Sequence, residues 1–195
     1  MPGDLLDAPL HELLDSLAGE GPSPGGGSAA AIVVAMAAAL VAKVGRASKG
    51  YWPEAGGVIG QAEAFRARVA PLAQAGAEAY AEALRALRGR EALEERYRDQ
   101  QLRAALERSA EIPMRIAEAG SDLACLAALL VEKGNPEVRA DAAAASMLAE
   151  SGARVAATLV ETNLGVTEGD PRVRHVKTLV AVAAEASERA LASAH

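Results

Sequence analysis

The chain has 195 residues and a net charge of −6, from 26 acidic and 20 basic side chains. This length suits one domain with a sizeable hydrophobic core, so we expect residues 1–195 to form a single domain. The acidic balance argues against a broad nucleic-acid-binding surface. The one cysteine, Cys125, excludes an intramolecular disulfide and, in its apolar run, favours a buried and unreactive thiol.

The first half of the chain predicts helices, because apolar residues recur every three or four positions. The first predicted helix has Asp7 as its N-cap and buries a leucine stripe. That stripe contains Leu10, Leu13, Leu14 and Leu17. After a loop rich in glycine and proline, Ser28 is the predicted N-cap of a second helix that runs to about Ser48. Its residues 29–42 are apolar nearly all round, which predicts the centre of a bundle; about 14 residues are too few to span a bilayer of roughly 30 Å.

The second half is divided by prolines and helix caps. A long third helix is predicted over residues 58–87, with a kink or break at Pro71. A charged helix then starts near Glu91, bends at Pro113 and turns apolar. Asn135-Pro136 and Asp170-Pro171 each combine an N-cap with a proline at the first helical position, which predicts two more helices. The sequence therefore predicts an all-α bundle of about six helices around an alanine-rich central helix, since alanine makes up about a quarter of the chain.

Histidine and cysteine patterns give no sign of a metal centre. The three histidines, His11, His175 and His195, belong to no zinc-binding spacing, and no nucleophile elbow of the G-x-S-x-G type is present. We therefore expect neither a metal nor an organic cofactor.

The strongest local signal is the segment Gly25-Gly26-Gly27-Ser28, here called the glycine segment. Glycines before a helix start expose backbone N–H groups, and the positive end of the helix dipole favours an anion or an electron-rich ring edge. The same glycines also suit a tight turn that lets an alanine-rich helix pack closely. The residues alone favour neither interpretation.

A second candidate is Lys133-Gly134-Asn135-Pro136 followed by Asp141. The simpler interpretation is a well-capped connection between helices. However, Asp141 lies among alanines, and a carboxyl group that is buried without a partner has a raised pKa, which suits proton transfer.

Together these segments resemble the formiminotetrahydrofolate cyclodeaminase family, which includes methenyltetrahydrofolate cyclohydrolases. The resemblance covers residues 5–164 in order, and four segments carry it: Pro22-x-Pro24-Gly25-Gly26-Gly27-Ser28-x-Ala30-Ala31, Glu111-Ile112-Pro113 with Ile116-Ala117, Lys133-Gly134-Asn135-Pro136 with Ala140-Asp141, and Asn163-Leu164. It implies an all-α homodimer that acts on a folate. The net charge predicts no nucleic-acid partner. The acidic N-terminal residues, which lack a basic signal-like stretch, and the short apolar run predict a cytoplasmic protein with no membrane partner.

The resemblance also implies roles for individual residues. Gly25, Gly26, Gly27 and Ser28 would line the pterin or one-carbon end of the substrate. Asn135 would be a polar site residue, Lys133 or Arg46 would meet the anionic glutamate tail, and Asp141 would transfer the proton.

Some positions differ from the family pattern. Gly76 stands where relatives carry an acid, Leu159 replaces a polar residue, and Ala140 replaces the serine before the aspartate. These differences leave two alternatives to a folate cyclodeaminase or cyclohydrolase. One is a helical dimer that binds folate without turnover, and the other is a structural helical oligomer.

Overall fold

The computed structural model describes residues 4–21, 24–88, 95–164 and 169–194. Within these ranges the chain forms seven α-helices, a 3-10 turn at Pro136–Val138 and no strand, so the predicted all-α fold is confirmed. The helices are α1 (Leu10–Ala18), α2 (Gly26–Ala47), α3 (Ala55–Val69), α4 (Leu72–Arg88), α5 (Glu95–Lys133), α6 (Arg139–Leu164) and α7 (Pro171–Ser193).

The central element is α2, as its composition predicts. It packs against α3, α4, α5 and α6. Gly27 at its start lies beside Leu159, and Lys43 near its end pairs with Asp141. Residues later in α2 therefore contact residues earlier in α6, so the two helices are antiparallel.

Close approach of these two helices requires a glycine. A Cβ at Gly152 would lie 3.3 Å from the carbonyl oxygen of Ala30 and would overlap the side chain of Val34. Both neighbours are buried. Small residues therefore bring α6 against α2 along their length and place the C-terminal end of α6 next to the glycine segment.

Two predicted N-caps are wrong. α1 begins at Leu10, because the Asp4 carboxylate accepts the Leu6 N–H and shapes the preceding turn, leaving Asp7 outside the helix. In this short helix only Leu13 of the predicted stripe is buried, and Leu10 is 69% exposed. α2 begins at Gly26, so Ser28 lies inside its first turn rather than capping it.

Prolines act differently in the two long helical segments. The predicted helix over residues 58–87 is broken at Pro71, between α3 and α4, which accounts for seven helices instead of six. Pro113 lies inside α5, a continuous helix of 39 residues in the described part. The predicted start near Glu91 lies outside the described residues.

The last helix belongs to the core of the protomer. α7 packs on α5 and α6 and buries Val176 and Ala183, whereas Val182 is exposed. Its predicted cap is confirmed, because the Asp170 side chain accepts the Arg172 N–H at 2.9 Å.

In the described part of the chain, α2 is long and apolar enough, by length and composition alone, to cross a membrane: it has 22 residues, and its most apolar 18-residue window has a mean hydropathy of 2.0. The helix extends beyond the apolar residues 29–42 on which the expectation was based, so length alone does not exclude a membrane span. Half of it is buried against other helices, and a core helix of a soluble protein has the same length and composition.

Candidate functional site

A cavity of about 320 Å³ opens at the end of the bundle where α2 begins. That volume is at the lower end of the range for small-molecule pockets, about 300–1,000 Å³. Its walls come from four helices that are distant in sequence. They are formed by Gly25, Gly26, Gly27, Ser28, Gly76, Ala77, Ala79, Tyr80, Ser109, Ile112, Pro113, Leu159, Thr162 and Asn163.

The glycine segment forms one wall of this cavity with backbone atoms. The first N–H to bond within α2 is that of Ala29, which donates to the Gly25 carbonyl at 3.1 Å. The N–H groups of Gly26, Gly27 and Ser28 precede it at the positive end of the helix dipole, where helices lack internal acceptors. This wall is therefore suited to an anionic group or a ring edge with hydrogen-bond acceptors.

Two polar side chains fix the walls relative to each other. The buried hydroxyl of Ser28 donates to the carbonyl oxygen of Ala73 at 2.7 Å and so joins α2 to α4. The Asn163 Nδ2 donates to the carbonyl oxygen of Ser109 at 3.3 Å and joins α6 to α5. The shape of the cavity therefore depends on both contacts.

The remaining lining is apolar apart from a few hydroxyl groups. Tyr80 is half exposed and offers the one aromatic ring among the described lining residues. Gly76 and Leu159, two of the positions that differ from the family pattern, both face the cavity. None of the described lining residues is charged, so within one protomer these residues supply neither an acid nor a cation.

The charged candidates lie at the other end of α2. Lys43 Nζ is 2.6 Å from Asp141 Oδ2, and both side chains are partly exposed. Arg46 pairs with Glu63 at 2.5 Å, which lowers the pKa of the Glu63 carboxyl. Asp141 is thus paired and accessible to solvent, not buried alone as the proton-transfer argument assumed.

Lys133 and Asn135 lie near the same end. The Lys133 ammonium is 5.7 Å from the centre of the Trp52 ring. Asn135 accepts the Glu137 N–H through its side chain and donates its own N–H to Ser48 Oγ, both at 2.9 Å. These contacts give Asn135 the predicted capping role and leave it 8% exposed.

The structure therefore divides the predicted site residues into two groups. Gly25, Gly26, Gly27 and Ser28 line the cavity. Arg46, Lys133, Asn135 and Asp141 do not; with Lys43 they form what we call the distal cluster. Seventeen residues separate Gly26 from Lys43 on α2, which corresponds to about 25 Å at 1.5 Å per residue. The functional roles assigned to both groups remain predictions.

Sequence reasoning did not identify Tyr80, Ser109 and Thr162 as cavity residues. Each lies close in sequence to a segment that carries the family resemblance or departs from it. Tyr80 follows Gly76 by one helical turn, and Thr162 precedes Asn163. Helical spacing from those segments could have indicated that these three residues lie near the site.

Other reactive groups lie elsewhere. Cys125 is half buried, and burial raises the pKa of its thiol, in agreement with an unreactive cysteine. His175 Nε2 lies 3.8 Å from a carboxylate oxygen of Glu118 on a partly exposed surface. The described residues contain no group of three potential metal ligands.

Comparison with known proteins gives matches over nearly the whole chain. The family described as formiminotransferase-cyclodeaminase matches residues 9–194. A methenyltetrahydrofolate cyclohydrolase from Methylorubrum extorquens is 30% identical over 192 residues, covering 92% of each chain. A solved formiminotetrahydrofolate cyclodeaminase from Thermotoga maritima is 26% identical with a TM-score of 0.82, over 97% of this chain and 96% of that one.

Proposed function

Since the chain belongs to the formiminotransferase-cyclodeaminase family, we propose that it is an enzyme of one-carbon folate chemistry. It either converts 5-formiminotetrahydrofolate to 5,10-methenyltetrahydrofolate with loss of ammonia, or hydrolyses the methenyl compound. The names of the relatives support both reactions. The two reactions share the carbon that bridges N5 and N10.

One structural observation carries the proposal. Three of the four segments that resemble the family converge on a single cavity, which they line through Gly25, Gly26, Gly27 and Ser28, through Ile112 and Pro113, and through Asn163. The cavity combines exposed backbone N–H groups at a helix start, the Tyr80 ring and an apolar floor. A pterin has ring nitrogens and a carbonyl that such N–H groups can recognise, and a flat face that an aromatic ring can stack on.

Either reaction needs positioning and proton transfer. In cyclodeamination N10 attacks the carbon of the formimino group, whose nitrogen is protonated, the N10 proton moves to that departing nitrogen, and ammonia leaves as its C–N bond breaks. In cyclohydrolysis water attacks the methenyl carbon, one proton goes to N5 as the N5–C bond breaks, and the other is released. Holding the reacting atoms about 3–3.5 Å apart lowers the barrier, and an acid–base group typically contributes about 10²–10⁴-fold.

The proposed function also assigns the two ends of the substrate, the assembly and the location of the protein. We assign the cavity to the pterin and one-carbon end, and the glutamate tail to a cation of the distal cluster. The protein acts as a homodimer in the cytoplasm, without a metal or organic cofactor and without a membrane or nucleic-acid partner. The net charge supports the absence of a nucleic-acid partner, and the absence of metal-binding sequence patterns supports the absence of a metal.

The test follows the near-ultraviolet absorption of methenyltetrahydrofolate with each substrate offered separately. Appearance of the band from 5-formiminotetrahydrofolate identifies a cyclodeaminase, and accelerated loss from the methenyl compound identifies a cyclohydrolase. Gly76→Leu provides the matched variant, because its side chain would fill the cavity while improving the helix propensity of α4. Binding of folinate with no change in either absorbance would show a binding protein, and no binding at all would favour a structural role.

A further inference from the structure

A second cleft, here called the α3–α5 cleft, opens between the corner that joins α3 to α4 and the middle of α5. Its volume is about 200 Å³, and it shares none of its described lining residues with the cavity at the start of α2. The two sites follow each other along α5, because the cavity residue Pro113 precedes the cleft residue Arg115 by two positions. Both sites can therefore be occupied at the same time. The cleft is lined by Phe65, Arg68, Val69, Leu72, Arg115, Glu118, Ala119 and Asp122.

The α3–α5 cleft has an apolar floor and a charged rim. Val69, Leu72 and Ala119 are buried and form a floor that is shielded from water. The charged lining residues are exposed and therefore stand at the rim, where two guanidinium groups and two carboxylates balance each other in charge. They are Arg68, Arg115, Glu118 and Asp122.

Helical spacing brings the charges of α5 to one side of the cleft. Arg115, Glu118 and Asp122 are separated by three and then four residues, so their Cβ atoms are neighbours about 5–6 Å apart on one stripe of the helix. Arg68 faces this stripe from α3, and its guanidinium carbon lies 4.8 Å from the centre of the Phe65 ring. A ligand in the cleft therefore meets both signs of charge within one or two helical turns.

The four charged groups of the rim are not paired with one another. Within the described part of the chain, no ion pair joins any two of them, and Glu118 instead has His175 as its neighbour, with Nε2 3.8 Å from a carboxylate oxygen. The Asp122 side chain reaches solvent, but the cleft partly desolvates its carboxyl group, which raises its pKa, while the Arg68 guanidinium opposes that rise. Charges of both signs are thus available to a ligand.

The balance of charge at the rim selects the chemical class of that ligand. The two guanidinium groups repel a metal ion or any other simple cation, and the two carboxylates repel a phosphate or any other simple anion. A zwitterion satisfies both, because its carboxylate accepts hydrogen bonds from a guanidinium fork and its ammonium group donates to carboxylates. An α-amino acid carries both groups on one carbon atom, which suits neighbours one helical turn apart such as Arg115 and Glu118.

The volume and the floor of the cleft limit the side chain of the amino acid. At the roughly 30 Å³ that a water molecule occupies in the liquid, a volume of about 200 Å³ has room for about seven non-hydrogen atoms. A folate is several times larger, whereas valine is of this size. The buried side chains of Val69 and Leu72 favour an aliphatic side chain, because its apolar surface would be removed from water there.

We propose that the α3–α5 cleft is a binding site for a small aliphatic α-amino acid. Arg115 holds the carboxylate of the amino acid, and Glu118 and Asp122 hold its ammonium group. Arg68 closes the cleft from α3 and balances the second carboxylate. The site is separate from the folate cavity, binds its ligand without covalent chemistry and does not depend on the proposed function.

The first experiment titrates the wild-type protein with L-valine in a calorimeter and follows Tm. Isovalerate lacks only the ammonium group of valine, and isobutylamine lacks only its carboxylate, so these two compounds are matched controls. At about ten times its dissociation constant, L-valine should raise Tm by about 3–6 °C. Each control should bind about 10–100-fold more weakly, because a charge-assisted contact is lost. No heat of binding with L-valine, or equal binding of isovalerate, would overturn the proposal.

The second experiment locates the binding site with variants. Arg115→Gln and Glu118→Gln each remove one charge from an exposed side chain, so the fold should be retained, and each should weaken L-valine binding about 10–100-fold. Arg85→Gln is the matched control with wild-type affinity, because Arg85 is exposed on α4 about 20 Å beyond Leu72 along the helix. Gly76→Leu fills the folate cavity and should also leave L-valine binding unchanged.

The variants also distinguish the two sites. Loss of L-valine binding in Gly76→Leu, with wild-type binding in Arg115→Gln, would place the amino acid in the folate cavity and overturn the proposal. If the wild-type protein turns over neither folate, the proposed function fails, and the L-valine titration still decides whether the α3–α5 cleft binds an amino acid.

Discussion

Substitution of Gly152 by alanine tests how closely α2 and α6 must approach. The new methyl group would overlap Val34 and lie 3.3 Å from the Ala30 carbonyl oxygen. Val34 is fully buried and β-branched, so it has little freedom to move, and such overpacking costs about 1–3 kcal/mol. Replacing a helical glycine by alanine contributes about 1 kcal/mol in the opposite direction. We expect the free energy of unfolding to fall by up to about 2 kcal/mol.

Thermal unfolding followed by circular dichroism, at one fixed protein concentration, measures this change. For a chain of this size 1 kcal/mol corresponds to about 2–4 °C, so Tm should fall by up to about 8 °C. Gly60→Ala on α3 is the matched control, because its Cβ would meet no atom within 4 Å. That control should raise Tm by a few degrees. An equal rise in both variants would refute the close approach of α2 and α6.

Three further predictions concern the cavity and α7. Ser28→Ala should lower the free energy of unfolding by about 0.5–1.5 kcal/mol and raise KM, because the buried hydrogen bond to Ala73 is lost at the cavity. Ser146→Ala loses a similar buried hydrogen bond far from the cavity and should lower stability without changing KM. Equal KM values for the two variants would contradict this prediction. Tyr80→Ala should weaken folinate binding about 5–30-fold in titration calorimetry, with Tyr80→Phe close to wild type. The contact with Arg172 lowers the pKa of the Asp170 carboxyl, so its stabilisation is present above the unfolded value of about 3.9 and is lost as pH falls through the lower folded value. Urea unfolding should therefore show Asp170→Asn less stable than wild type at pH 7, with the difference shrinking below about pH 4.

The fold could be predicted from the sequence where local chemistry is decisive. Asn135 and Asp170 cap helices as expected, because a cap depends on the next two or three residues. Ser28 misled the prediction because its hydroxyl bonds across the bundle to Ala73, a contact between residues 45 apart. Pro71 breaks its helix and Pro113 does not, and the residues beside each proline do not reveal that difference.

The site could be predicted only in part. The glycine segment could be identified because glycines at a helix start leave backbone N–H groups accessible to a ligand, wherever the helix lies in the fold. The position of Asp141 depends on α6 running antiparallel to α2 and packing closely on it at Gly152, which no spacing along the chain reveals. Family resemblance placed both sets of residues in one site, and the structure places them at opposite ends of one helix.

The antiparallel pairing of α2 with α6 has a consequence for biosynthesis. Leu164, the last residue of α6, follows Ala47, the last residue of α2, by 117 residues. At about 5–20 residues per second, α2 leaves the ribosome roughly 6–23 s before the helix that covers it. Of its packing partners, α3 and α4 follow soonest in the chain and shield part of its surface. During that interval an apolar helix of membrane-spanning length is uncovered in the nascent chain, so a holding chaperone has a binding segment there before the native protein exists.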